Sequence, residues 1–151
     1  MAEQQRGRRA IEVGPTGETV AANIKRLRDR RGMTTRQLSG VLERAGRAIP
    51  ASGITRMEKA ERVVTADELT ALAAALQVNP SALLLPLKDG PAELIEITGV
   101  GQVGAERAWD WMDGEMPIAE IKPGDPTGAI LQFQVDARPA GRRLQLGVSD
   151  G

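Results

Sequence analysis

Apolar residues in the first half of the chain recur at the three-and-four spacing of helices that bury one side. Val20, Ile24 and Leu27 share a face within residues 18–31, and Gly32 follows as a stop. Leu38, Val41 and Leu42 form a second stripe. It begins at Thr34, which has the T-x-x-Q spacing of a capping box with Gln37, and Gly46 can end that helix in a left-handed conformation. A short third helix near residues 51–59 carries Ile54 and Met57 one turn apart, leaving Ser52, Thr55 and Arg56 to face outward. Thr65 and Glu68 repeat the capping-box spacing ahead of Leu69, Leu72, Ala73 and Leu76. Asn79 as N-cap, with Pro80 at the first helical position, opens a fifth helix that carries Leu83 and Leu84 and ends before Pro86.

Beyond a linker from Pro86 to Pro91 the pattern weakens. Ile95 and Ile97 alternate with polar residues, as a short strand would. Ala105, Ala108, Trp109 and Met112 predict a helix over 104–113, closed by Gly114. Pro117, Pro123, Gly124, Pro126 and Gly128 then punctuate too often for helix. LQFQV (131–135) and RLQLGV (143–148) alternate like the two strands of a half-buried hairpin. The expected architecture is mainly α: a flexible basic arm over 1–15, a five-helix domain over 16–86, and a partly ordered acidic region over 87–151 with a short helix and a β-hairpin.

A net charge of zero conceals a split. Residues 1–62 hold 14 Lys/Arg against 7 Asp/Glu, whereas residues 63–151 hold 6 against 13. A basic half is what a phosphate backbone attracts, and an acidic half must face away from it or meet another partner. Arg6, Arg8 and Arg9 lie on the terminal arm, as a DNA-reaching segment or simply a solvated tail. With no His and no Cys, the chain offers no imidazole base, no thiol nucleophile and no His-ligated metal site. The glycines of TGVGQVG (98–104) match neither nucleotide fingerprint. Neither catalysis nor a metal or other cofactor is therefore expected. No run approaches the ~20 apolar residues of a membrane span, and no apolar run follows the basic N-terminus, so a cytoplasmic protein without membrane association is expected.

A short helix held by two apolar contacts, with small polar and Arg side chains outside, suits insertion into a DNA major groove. Ala51, Ser52, Thr55 and Arg56 are the candidate base contacts: Arg56 can pair bidentately with guanine, Ser52 can donate or accept, and Ala51 can touch a thymine methyl. Arg56 can equally bind phosphate, and the two roles differ in sequence specificity. Thr34, Thr35 and Arg36 open the second helix, where free N–H groups and the helix dipole favour a phosphate. Lys59 and Arg62 past the third helix, and Arg44 and Arg47 before it, are further candidate phosphate contacts.

Taken in order, NIKRLRDRRGMTTRQLS, GITRMEK and ADELTALAAALQVNPSALL resemble the lambda-repressor-like (Cro/repressor, or XRE) helix-turn-helix family. The resemblance covers about residues 20–85. Ile24, Leu27 and Arg28 match its first helix, Thr34 and Leu38 its second, and LTALAAALQVNPSALLL its ending. The stretch from Leu38 to Ile54, with Arg44, Arg47 and Pro50, is longer than the usual family turn. The resemblance implies a structural ion pair between Arg28 and Glu58, and base-reading positions at Ala51, Ser52 and Arg56. It also implies a transcriptional regulator that binds double-stranded DNA, a pseudo-palindromic operator read by a homodimer. The alternative is a protein-interaction adaptor or antitoxin-like module acting through the acidic region. There Trp109, Trp111 and Met112 are either a partner surface or local core. The Ala-, Arg- and Gly-rich, Lys-poor composition resembles that of high-GC bacteria and their phages.

Overall fold

The computed structural model describes residues 12–144. Among these, the residues up to Leu87 together with Glu96–Gly101 form one compact unit, and Lys88–Ile95 with those from Gln102 onward form another. The chain is mainly helical, with one small antiparallel hairpin in its C-terminal part.

The first unit contains α1 (Pro15–Arg30), α2 (Thr35–Arg44), α3 (Ala51–Glu58), α4 (Ala66–Ala75) and α5 (Ser81–Leu84). α1 starts earlier than its apolar spacing predicts, because Pro15 lies in its first turn, where its fixed φ is already helical. Both capping boxes form: the Thr34 and Thr65 hydroxyls accept from the N–H groups of Gln37 and Glu68, and those side chains reach back to the cap N–H groups. Gly46 closes α2 at φ +85°, a region where a side chain would be strained. α5 begins later than expected. Pro80, already helical at φ −56° and ψ −34°, stands in the cap position, and Asn79 contributes only its carbonyl, which accepts from the Ala82 N–H.

α1 packs on α3 and α5, and α2 on α3 and α4. Ile24, Leu38, Leu42, Ile54, Met57, Leu72, Leu76 and Leu83 meet in one core. Val41 and Leu69, expected on the buried stripes, are only half-buried. One polar side chain is built into this packing. The Asn23 amide donates to the carbonyls of Leu83 and Leu85 at 3.0 and 2.9 Å, which pins the end of α5 to α1. Thr16 and Thr98 exchange backbone-to-hydroxyl hydrogen bonds of 3.1 and 2.9 Å, tying residues 96–101 to the start of α1.

β1 (Leu94–Ile97) and β2 (Gly101–Gly104) pair as the hairpin. The alternation of Ile95 and Ile97 appears directly as burial on one side. In the second unit, α6 (Ala105–Met112) buries Ala105 and Ala108, and α7 (Pro126–Ala137) is followed by a single 3-10 turn (Ala140–Arg142). The segment LQFQV is the C-terminal part of α7 and not a strand, a correction to the sequence expectation. The cause is local. The Asp125 side chain accepts from the Gly128 N–H at 2.8 Å, and Pro126 occupies the first turn, so D-P-x-G starts a helix. Of RLQLGV, Arg143 and Leu144 form no strand, and residues 145–148 lie outside the described residues. So do Arg6, Arg8 and Arg9 of the basic arm. No described helix is long and apolar enough to cross a membrane.

Candidate nucleic-acid interface

α3 is anchored from within. Gly53, Ile54 and Met57 are buried, and Ile54 and Met57 have no exposed surface. A second anchor went unread in the sequence. Ile49, just before the helix, is 1% exposed, and its carbonyl accepts from the Ser39 hydroxyl of α2 at 2.6 Å. Gly53 lets this contact close, since a Cβ there would meet Ile49 Cγ2 at 3.3 Å. The signal for Ser39 was a hydroxyl one residue past Leu38 on the second helix, facing the stretch that leads into the third.

With its inner side fixed, α3 turns Ser52 and Arg56 to solvent, one helical turn apart. The Arg56 guanidinium makes no hydrogen bond or ion pair with another described residue. Ala51 is half-exposed at the start. Thr55 departs from the expectation of an outward side chain. It is half-buried, and its hydroxyl donates to the Ala51 carbonyl at 3.1 Å, which leaves only its acceptor lone pairs for a ligand. No side chain caps α3, so its first N–H groups have no side-chain partner.

The orientation of α3 against α1 is set by Arg28 and Glu58. The guanidinium grips the carboxylate through Nε at 3.0 Å and Nη2 at 2.6 Å, and Nη1 donates to the Met33 carbonyl at 2.9 Å. Their side chains are only 14% and 6% exposed. The hydrogen bond to Glu58, ahead of the opposing effect of burial, raises the Arg28 pKa above its ordinary value. A bidentate pair of this kind fixes an angle as well as a distance.

At the start of α2 the capping box satisfies the N–H groups of Thr34 and Gln37. By helix geometry, those of Thr35 and Arg36 then point outward without an intrahelical partner. Thr34 is exposed but its hydroxyl already accepts from Gln37, while Thr35 is half-buried. Arg36 and Arg44 are exposed, and with Arg31 they border a shallow concavity of about 390 Å³ beside α2. Arg31 is fixed there by donation to the Leu76 carbonyl at 3.0 Å. Arg47 and Lys59 are exposed at either end of α3.

Arg62 does not belong to this free set. Its Nη2 lies 2.7 Å from Glu68 Oε2, so its charge is met inside the unit. Burial pushes the Glu68 carboxyl up, but the Thr65 backbone N–H and Arg62 outweigh it and hold the group below the usual carboxylate range. Glu68 thus serves the α4 cap and neutralises Arg62 at once. Trp109, Trp111 and Met112, in the other unit, are all half-buried, and the Trp109 indole donates to the Lys88 carbonyl at 3.0 Å.

Residues 19–85 match the family model of a helix-turn-helix domain. No curated protein and no solved structure matches the chain. The matched span takes in α2 and α3 with their connection, which supports a helix-turn-helix domain over these residues.

Proposed function

We propose that this chain is a lambda-repressor-like (XRE) transcriptional regulator that reads a pseudo-palindromic operator as a homodimer. One observation carries the proposal: the inner side of α3 is wholly buried, while Ser52 and Arg56 on its outer side are exposed and uncommitted. In this reading Ala51, Ser52 and Arg56 meet base edges, with Thr55 as an acceptor at most. The N–H groups of Thr35 and Arg36, with the Arg36, Arg44, Arg47 and Lys59 side chains, hold phosphates on either side. Arg62 stays with Glu68 and holds the start of α4. Two copies are needed because one short helix reads only a few base pairs.

Selection from random-sequence duplexes tests this reading. The expected result is enrichment of a two-fold motif, and Arg56→Ala relaxes preference at one base pair by about 1–3 kcal/mol. Uniform weakening would assign Arg56 to phosphate. With about six phosphates neutralised, the log–log salt slope is near −5. No retention of DNA at low salt would favour the adaptor reading, in which the acidic C-terminal region does the binding.

A further inference from the structure

A cavity of about 560 Å³ lies in the C-terminal unit, between α6 and the chain that follows it. All of its lining belongs to that unit, and none of it to the candidate nucleic-acid interface. Its volume falls in the range of small-molecule sites. Met116, Pro117 and Ile121 give it an apolar wall, and three acids border it: Glu106, Asp110 and Glu120. Asp110 is half-buried and the other two are exposed. Arg107 is the one basic residue in the lining, and its guanidinium is committed to the Ile118 carbonyl. None of the three carboxylates makes an ion pair or a side-chain hydrogen bond with another described residue.

α6 is also built against its own charge. Glu106 and Asp110 stand at i and i+4, where like charges repel. Asp110 and the C-cap Asp113 lie at the helix's C-terminal end, where the dipole favours a cation, and the last turn carries no basic residue. We infer that the cavity binds a small organic cation, an ammonium or guanidinium held among Glu106, Asp110 and Glu120 with an apolar body on Met116, Pro117 and Ile121. Other occupants suit it less. Among the described residues no three acidic side chains converge closely enough to hold a metal ion, and an apolar wall would do nothing for one. An anion would meet three carboxylates and a single guanidinium that is already engaged. An organic cation uses both the acids and the wall, and it relieves the repulsion along α6. The site stands independently of the DNA reading.

Amide shifts of the isotope-labelled full chain, titrated with phenethylamine, test the site. That compound joins an ammonium to an apolar ring. Phenethyl alcohol lacks the charge, phenylacetate reverses it, and methylammonium lacks the ring. Up to about 10 mM, the weak limit for so small a ligand, phenethylamine shifts amides within residues 104–121 and saturates, and the other three do not. Asp110→Asn and Glu120→Gln each weaken binding about tenfold. Glu120 is exposed, so its replacement leaves the fold intact. Asp136→Asn removes an acid of the same unit outside the cavity and leaves binding unchanged. Four results would each overturn the site: no saturation by phenethylamine, shifts confined to residues elsewhere, equal weakening by Asp136→Asn, or equal binding of phenethyl alcohol or methylammonium. This reading and the regulator reading fail separately. A chain that selects a DNA motif but ignores the amine loses the cavity alone, and one that binds the amine yet retains no DNA loses the regulator alone.

Discussion

The largest side chains wholly removed from solvent among the described residues are Ile24, Leu38, Leu42, Ile49, Ile54, Met57, Leu72, Leu76, Leu83, Leu85 and Gln134. All but the last belong to the helix-turn-helix unit. There, apolar side chains fill the interior, and polar ones fix helix ends and angles. In the C-terminal unit the one large side chain among the described residues removed to this degree is an amide, although Ile95 and Val103 are also buried. Gln134, Arg107, Arg138 and Trp109 each reach a backbone carbonyl. A net hydrogen bond contributes about 1 kcal/mol, less than the burial of a Leu or Ile. The first unit therefore tolerates loss at its surface and not in its core. The second depends on individual polar links and leaves much of its apolar surface outside.

The largest expected effect is in the first unit. Ile54→Ala removes a side chain with no exposed surface and lowers unfolding free energy by about 3–4 kcal/mol in a denaturant titration. A loss under about 1 kcal/mol would show that α3 is not core-anchored. Glu58→Ala comes next. It strands Arg28, whose side chain is 14% exposed, and costs about 3 kcal/mol in the same titration. An unchanged transition would mean that water replaces the carboxylate freely. Gln134→Ala leaves the Gly114 and Glu115 carbonyls and the Leu144 N–H without their partner, at about 2 kcal/mol. Hydrogen exchange should speed up across residues 113–144 and stay unchanged over α1–α4. Equal acceleration in both would erase the contrast between the units. The smallest effect concerns acid. The folded-state pKa of Glu68 is lowered, so its contribution is complete above the unfolded value of about 4.3 and disappears as pH falls through the folded one. The stability gap between wild type and Glu68→Gln, no more than about 1 kcal/mol near neutrality, should close below about pH 4. A gap that widens on acidification would reverse the sign.

Both capping boxes were legible in the sequence because each is written in four consecutive residues and needs no tertiary partner. The helix stripes were legible for a related reason, since core position and apolar identity coincide in the first unit. LQFQV misled because they do not coincide in the second. In that segment Leu131 and Val135 are exposed, while Gln134, a polar letter of the apparent alternation, is 1% exposed. A binary pattern cannot register an amide buried to satisfy carbonyls distant in sequence. The candidate interface was readable in outline, from Ser52 and Arg56 on an outward face. Its supports were not. Ser39 reaching the Ile49 carbonyl and Arg62 engaged by Glu68 are pairings of side chains that only the folded chain brings together.

The Ser39–Ile49 bond gives the connection between α2 and α3 a built-in seam. Ala45–Ala48 are all exposed on its far side, so they form a bulge closed at its base before α3 begins. Residues inserted after Arg47 are expected to lengthen that bulge and leave the pose of α3 unaltered. The reach of Arg47 can thus change with the length of the bulge while α3 stays where it is.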